Sequence, residues 1–222
     1  LPTKTEQSDL NQAMFGRNGE CPAVVIACQS PSDCFETAFT ACKIALEFMM
    51  PVILLSDGYI ANGSEPWKLP ELDSLSDIQT KVIKDFNEES FAPYKRDKKT
   101  LSRSWALPGQ KGLEHRIGGL EKADVTGHVS YDPDNHHHMV KLRQKKIDII
   151  ADFIPEAKPY GNDKGDFLVL GWGGTYGAIR SAVEKCNEEG LSVSHLHLKY
   201  LNPLPKNLGE VLLKFNKVLI PE

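Results

Sequence analysis

The chain has 222 residues, of which 41% are hydrophobic and 25% charged, and a formal net charge of −4, which is typical of one large or two small globular domains. The acidic balance argues against a nucleic-acid-binding face, and the apolar runs are too short to cross a membrane. Five cysteines without CxxC spacing indicate free thiols in a reducing cytoplasm and argue against an iron–sulfur cluster on this chain alone.

Residues 1–62 have the pattern of an α/β unit. In chain order, the apolar spacing predicts a helix over 5–15, a strand over 23–27, a helix that stops at Pro51 and a strand over 52–55. Ser30 as the N-cap, Pro31 in the first turn and the Asp33 carboxylate at N3 predict where the second helix begins. Two buried strands joined by such a helix form a parallel pair, and Asp57 then lies where open α/β sheets bind ligands.

Residues 63–160 form a long connecting segment, rich in proline, glycine and charge in its first three quarters. The pattern predicts a helix over 73–86, a solvated charge run over 95–99, a strand over 126–131, a turn over 132–135 and a helix over 136–153. An irregular stretch of this length inside a compact protein tends to be functional. The three consecutive histidines, 136–138, are interpreted as an exposed helix start rather than a metal site, because adjacent side chains point in different directions.

Residues 161–222 have the pattern of a second α/β unit. The predicted elements are a strand over 166–170, a glycine-rich turn over 171–177, a helix closed by Gly190, a strand over 191–198, a turn over 202–205, a helix over 208–215 and a strand over 217–220. The chain starts without methionine and stops just after the last predicted strand. We therefore expect it to be part of a longer polypeptide.

The glycine-rich turn allows more than one interpretation. A dinucleotide-binding turn needs its third glycine at position 176, but the chain has Tyr176 there and its glycine comes one residue later, at Gly177. Such a site also needs a carboxylate about 20 residues further on, and residues 194–197 offer none. Glycine is also used where a strand and a helix pack closely. A nucleotide- or CoA-binding module without redox chemistry stays an alternative function.

Six stretches of the sequence resemble the α subunit of 2-oxoacid:ferredoxin oxidoreductases, with the 2-oxoglutarate type as the best match. They are residues 1–10, 16–20, 54–60, 105–109, 112–121 and 131–136, and they spread over much of the chain. The resemblance implies that 1–62 is the later half of a thiamine pyrimidine-binding domain and 63–160 a connecting segment of helices and loops. It implies that 161–222 is a truncated domain similar to the C-terminal domain of transketolase.

The resemblance also implies a reaction. Members of the family decarboxylate a 2-oxoacid on thiamine diphosphate, pass electrons to iron–sulfur clusters and ferredoxin, and form an acyl-CoA and CO2. A β subunit carries the diphosphate-binding motif, the Mg2+ site and the cluster cysteines. We therefore expect no catalytic residue and no metal ligand on this chain, and no activity from it alone.

Few residues of this chain can be given roles from the resemblance. Lys4 stands where a basic residue near the substrate carboxylate is expected. Arg17 and Arg116 are further candidates for substrate binding, because arginine grips carboxylates in a bidentate manner. The glycine-rich turn would shape a partner-facing edge near CoA. The candidates for cofactor contacts are Asp57, Gly173 and Gly174.

Overall fold

The computed structural model describes residues 8–84 and 91–221, and within these ranges the helices and strands form two small sheets with helices packed on them. The helices are α1 Ser8–Phe15, α2 Cys34–Phe48, α3 Gly58–Asn62, α4 Pro133–Ile150, α5 Tyr176–Glu188 and α6 Leu208–Leu212. The strands are β1 Val24–Ala27, β2 Val52–Leu55, β3 Gly165–Trp172, β4 Val193–Leu198, β5 Tyr200–Asn202 and β6 Phe215–Leu219. No helix in this part of the chain is both long enough and apolar enough to span a membrane.

The first sheet has the strand order β2-β1-β5. Strands β1 and β2 are parallel, as predicted, with Val24 opposite Val52 and Ala27 opposite Leu55. All four residues of β1 are buried, because the strand lies between two neighbours. Helices α2 and α4 cover this sheet, and the shared core is made of Val24, Ile26, Ile44, Phe48, Ile147 and Ile150.

The second sheet has the order β4-β3-β6 and is parallel throughout. Its core joins alternate residues of β3 and β4 to helix α6 and is made of Leu168, Leu170, Leu196, Leu198, Leu208, Val211 and Phe215. Helix α5 contributes Ile179 and Val183 as its buried residues and packs against β3 and β4. The alternation of buried apolar residues along β4 is the pattern from which this strand was predicted.

One strand connects the two sheets. Strand β5 follows β4 after a single residue, and it pairs antiparallel with β1 of the first sheet. Ala27 N donates to Lys199 O at 2.9 Å, and Asn202 Nδ2 donates to Ala23 O at 2.7 Å. The predicted α/β class is confirmed, but the first sheet is mixed rather than purely parallel. The turn predicted from residue 202 begins with the end of this strand.

Helix α2 begins at Cys34, three residues after the predicted first turn at Pro31. Ser30 Oγ accepts from Asp33 N at 3.4 Å, so the serine caps a turn that precedes the helix. Asp33 is the N-cap residue, but its carboxylate makes no capping hydrogen bond to a backbone amide of the helix. Its Oδ2 accepts from Gln29 N at 3.1 Å and from Thr37 Oγ1 at 2.8 Å, and its Oδ1 contacts Lys199 Nζ at 2.5 Å.

Two elements predicted in the connecting segment are wrong. Residues 75–84 form no helix, and Lys81 and Ile83 instead exchange backbone hydrogen bonds with Trp105; residues 85 and 86 lie outside the described ranges. Only a short 3-10 turn, Leu72–Ser74, forms there. The predicted strand over 126–131 reduces to a single bridge between Val129 and Lys122.

Helix α4 begins at Pro133 rather than His136. Asp132 is the N-cap and accepts from Asp134 N at 2.9 Å, and Pro133 occupies the first turn. The residues that were predicted as a separate turn therefore form the start of the helix. The helix ends at Ile150, before the predicted Phe153.

Candidate functional site

Asp57 joins the ligand edges of the two α/β units. It follows β2 and caps α3, where its Oδ1 accepts from Ile60 N at 2.8 Å. Its Oδ2 accepts from Gly174 N, also at 2.8 Å, and Gly174 follows the end of β3. All three predicted cofactor-binding residues, Asp57, Gly173 and Gly174, therefore lie together. In this structure the carboxylate binds the glycine turn rather than standing free, and a cofactor contact at these residues stays a prediction.

The glycines of the turn allow two close approaches of the backbone. A Cβ on Gly171 would lie 2.4 Å from Ile179 Cδ1 of α5, and Gly173 has a φ of 63°, which favours glycine. A Cβ on Gly174 would lie 2.4 Å from Asp57 Oδ2. Close packing at Gly171 and Gly174, together with the positive φ of Gly173, is enough to explain why these three positions are glycine.

Replacing Gly174 with alanine should break the contact between the two units. The added Cβ would also lie 2.9 Å from Asp57 Oδ1, so the carboxylate must leave both of its amide donors. We expect the free energy of unfolding to fall by about 2 kcal/mol, the scale of hydrogen bonds to a charged group. Urea denaturation of the purified protein measures the change.

Gly177→Ala is the matched control for this variant. Gly177 is exposed in the first turn of α5, and a Cβ there meets nothing within 4 Å. Alanine should leave stability unchanged or raise it by up to about 1 kcal/mol, because it favours the helix. Equal losses of unfolding free energy in the two variants would contradict a specific role of the Asp57–Gly174 contact in stability.

Arg17 is engaged at the end of helix α1. Its Nε and Nη2 donate to Cys21 O at 2.9 and 2.7 Å, and its Nη2 also donates to Met14 O at 3.2 Å. Nη1 donates to Ala13 O. The guanidinium thus satisfies carbonyls that the helix end leaves open. Substrate binding by Arg17 stays a prediction and would require it to leave these acceptors.

Arg116 is exposed and lines a cavity of about 540 Å³, which includes neither Asp57 nor the glycine turn among its lining residues. Phe91, His115 and His128 also line this cavity. The structure brings neither Arg17 nor Arg116 into the contact between Asp57 and the glycine turn. Lys4 lies outside the described residues.

The consecutive histidines contact carboxylates at the start of α4. His136 Nδ1 lies 2.8 Å from Glu121 Oε2, and His138 Nε2 lies 3.0 Å from Asp124 Oδ2. All three histidines are exposed, in agreement with a helix start on the surface. Over residues 8–84 and 91–221, no group of three or more His, Cys, Asp or Glu side chains is placed to hold a metal ion.

A larger cavity, of about 610 Å³, lies between α4, the chain after α2 and the connecting segment. We call it the cationic cavity, and define it by its basic lining residues. These are Arg96, Arg103, Lys122, Arg143 and Lys146. Its other walls include apolar side chains from both sides, namely Met49, Met50, Pro51, Met139 and Leu142.

The cations of this cavity differ in their partners. Arg96, whose side chain is 14% exposed, pairs with Asp124 Oδ1 at 2.5 Å, and Arg143 pairs with Glu20 at 2.5 Å and with Glu121 at 3.5 Å. Lys122 is buried and donates to two backbone carbonyls. These contacts hold the cations in place around the cavity.

Arg103 and Lys146 contact no carboxylate among the described residues. Arg103 lies over the ring of Tyr94, 4.2 Å from its centroid, and Lys146 Nζ donates to Met49 O at 3.0 Å. Burial, reinforced by the charges of Arg103 and Arg96, lowers the pKa of Lys146 to about 8. Within the described part of the chain, no acid therefore neutralises the charge of these two side chains.

Sequence reasoning missed the cationic cavity. Arg96 belongs to the charge run that was interpreted as a solvated face, which is correct for its exposed neighbours Lys95 and Lys98 but not for Arg96. One signal was available in α4. Arg143 and Lys146 share the apolar spacing of Met139, Ile147 and Ile150, so they interrupt a buried stripe with positive charge.

The chain itself belongs to a thiamine-dependent class of enzymes. The family model described as pyruvate flavodoxin/ferredoxin oxidoreductase, thiamine diP-bdg, matches residues 1–131, and the chain belongs to this family. Among curated proteins, it is 53% identical to the 2-oxoglutarate oxidoreductase subunit KorA of Mycobacterium tuberculosis, an alignment that covers 100% of this chain and 34% of that protein. It is 27% identical to the 2-oxoglutarate synthase subunit KorA of Archaeoglobus fulgidus, over 100% of this chain and 56% of that protein.

A solved structure has the same fold. It is the 2-oxoglutarate:ferredoxin oxidoreductase of Magnetococcus marinus with 2-oxoglutarate, coenzyme A and succinyl-CoA bound, and it matches with a TM-score of 0.88 and 30% identity. The match covers 100% of this chain and 38% of that one. The chain therefore spans about a third of the length of the first relatives it matches. The resemblance inferred from sequence strings is confirmed at the level of the family and the fold.

Proposed function

We propose that the chain is part of the α subunit of an enzyme that oxidatively decarboxylates a 2-oxoacid, 2-oxoglutarate in particular. The acyl group passes to CoA, CO2 is released and ferredoxin is reduced. The observation that carries this proposal is the 53% identity, maintained over the whole chain, to a subunit named for 2-oxoglutarate oxidation. The Magnetococcus marinus structure, which holds 2-oxoglutarate and CoA, supports it independently.

We also propose the domain roles. Residues 1–62 are the later half of the thiamine pyrimidine-binding domain, 63–160 the connecting segment, and 161–222 the domain similar to the C-terminal domain of transketolase. The match of the family model to residues 1–131 supports the first assignment. The parallel sheet β4-β3-β6 with α5 and α6 supports the last.

The resemblance to the family implies that a partner subunit holds the metal and the cluster. The carboxylate of Asp57 is engaged by two backbone amides, and no metal-binding group is formed by the residues that the structure describes. We propose that a β subunit holds Mg2+, the thiamine diphosphate and the iron–sulfur cluster. Ferredoxin and the β subunit are then the partners of this chain, and the cytoplasm is its compartment.

Co-purification tests the function as a whole. The full-length chain, expressed with its neighbouring subunit, should carry thiamine diphosphate and iron and should reduce ferredoxin when both 2-oxoglutarate and CoA are present. A preparation with a saturable nucleotide site but neither thiamine diphosphate nor 2-oxoacid-dependent reduction would contradict the proposal.

Lys4→Ala in the assembled enzyme should raise the KM for 2-oxoglutarate by about tenfold or more. An ion pair to the substrate carboxylate orients the keto carbon, and a charge-assisted hydrogen bond is worth about 1.5–3 kcal/mol. The KM for CoA should hardly change, because CoA carries no contact with Lys4 in this assignment. Steady-state kinetics with each substrate varied in turn measure both values.

Lys4→Arg is the conservative control, since it keeps the charge and should retain most of the affinity for the 2-oxoacid. Equal increases in both KM values after Lys4→Ala would point to a general structural loss instead of carboxylate binding.

A further inference from the structure

The cationic cavity holds more positive charge than its acids neutralise. Five cations line it, and the carboxylates that pair with them are Glu20, Glu121 and Asp124. An excess of about two positive charges remains among the described residues. Partly buried charges of like sign repel one another and favour either deprotonation or a bound anion.

The positions of these cations favour a tetrahedral anion. They come from three parts of the chain. Arg96 and Arg103 face each other across a backbone bridge, Lys122 lies further along the connecting segment, and helix α4 carries Arg143 and Lys146. Donors that surround a cavity from several sides match the three acceptor oxygens of a phosphate group better than the single plane of a carboxylate. Guanidinium groups are the side chains most suited to phosphate.

The size and the apolar wall of the cavity favour an organic ligand over a free ion. A volume of about 610 Å³ lies within the range of small-molecule sites. Met49, Met50 and Leu142 are also among the lining residues and offer apolar contact to a base or a similar group. Within residues 8–84 and 91–221, Arg103 and Lys146 contact no carboxylate, so no acidic partner there competes with a ligand.

We propose that the cationic cavity binds the phosphate groups of a small phosphorylated ligand of the nucleotide type, with Arg103 and Lys146 as its principal contacts. Two sources share this chemistry: the nucleotide end of CoA, which is a substrate of the proposed reaction, and a free adenine nucleotide. Arg96 and Arg143 hold the walls of the site through their carboxylates and add to its positive potential.

Calorimetric titration of the assembled enzyme tests this site. Pyrophosphate, ADP, CoA and 2-oxoglutarate are each titrated into the wild type, Arg103→Gln and Lys146→Met. We expect the Kd of ADP, CoA or both to rise about tenfold or more in each variant, because each loses a charge-assisted hydrogen bond. Lys145→Met is the matched control, since Lys145 is the next residue of α4 but is exposed and outside the cavity.

The ligands distinguish the sources. A loss of affinity for CoA alone assigns the site to the substrate, and a loss of affinity for ADP alone assigns it to a free nucleotide. Unchanged Kd values for pyrophosphate, ADP and CoA in both variants would overturn the proposal, as would a loss confined to 2-oxoglutarate. A wild type that binds ADP but has no 2-oxoacid activity would contradict the proposed function while leaving this site intact.

A second measurement needs no variant. Acetic anhydride should acetylate Lys146 in the wild-type enzyme, because its lowered pKa of about 8 leaves part of the amine uncharged near neutral pH. The bound nucleotide should protect Lys146 in proportion to its occupancy, while exposed Lys145 reacts unchanged as an internal reference. Equal labelling of Lys146 with and without ADP and CoA would overturn the proposal even if the variants fail to fold.

Discussion

Asp33→Ala should lower the free energy of unfolding by about 2 to 3 kcal/mol, somewhat less than the roughly 3 to 5 kcal/mol lost when a fully buried ion pair is broken, because the Lys199 side chain is 26% exposed. The Asp33 side chain is 10% exposed, and its carboxylate contacts Lys199 Nζ at 2.5 Å. It also accepts hydrogen bonds from Gln29 N and from Thr37 Oγ1, and Thr37 is fully buried. Alanine would leave a cation and two polar groups without their acceptor.

The position of this pair explains why the effect should be large. Lys199 is the single residue between β4 and β5, where the chain passes from the second sheet into the first. Asp33 lies immediately before α2, which covers the first sheet. The ion pair therefore joins the two units at the strand that connects them, and its loss should loosen both.

A double-mutant cycle measures the pair itself. Lys199→Met leaves Asp33 without its cation, and Asp33→Asn keeps an acceptor for Thr37 while removing the charge. Urea denaturation should show that the Asp33→Asn/Lys199→Met double variant loses less than the sum of the single losses. Glu184→Ala serves as the control, because its pair with Arg180 is exposed on α5 and should leave stability almost unchanged. Strict additivity in the cycle would contradict the role assigned to this contact.

Local patterns predicted most of the elements that form the two units. The apolar runs that became β1, β3 and β4 carry their own signal, since each buries side chains on a sheet face. The run that became β2 was predicted to be buried, but the strand lies at the edge of its sheet and its residues are half-buried or exposed. The antiparallel β5 has only three residues and follows β4 almost directly. Its pairing with β1 depends on where the second sheet lies, so no local pattern indicates it.

The candidate site, too, was predictable only in part from the sequence. Asp57 and the glycine turn were identified because each follows a predicted strand, and the structure brings them together. The depth of Arg96 was not predictable, because its sequence neighbours are exposed and charge alone does not indicate burial. Arg17 was predicted as a substrate ligand from its residue type, whereas in the structure its donors are occupied by carbonyls of α1 and of Cys21.

A second large effect should appear on acidification, and it depends on two histidines of β4. His195 is 2% exposed, and its Nε2 and both ring nitrogens of His197 make no hydrogen bond with the described residues. The two rings and Tyr176 pack together, with centroids 5.1 to 5.7 Å apart. Burial, followed by the charge of Arg180, lowers the pKa of His195 to about 4. Burial, followed by His195, lowers the pKa of His197 to about 4, against smaller opposing effects of Asp33 and Gly173.

Stability should therefore be fully present above pH 6.5 and should fall as the pH drops from 6.5 towards 4, because over this interval the unfolded chain binds protons that the folded protein excludes. Each histidine should contribute a loss of about 1.4 kcal/mol per pH unit. Urea denaturation at a series of pH values measures the slope. His195→Phe, which keeps an aromatic ring without a titrating nitrogen, should remove about half of the acid loss attributable to the pair, and His195→Phe/His197→Phe nearly all of it. His137→Asn is the control, since His137 is exposed at the start of α4 and its replacement should leave the slope as it is. An unchanged slope in the double variant would mean that acid sensitivity comes from other groups than these two rings.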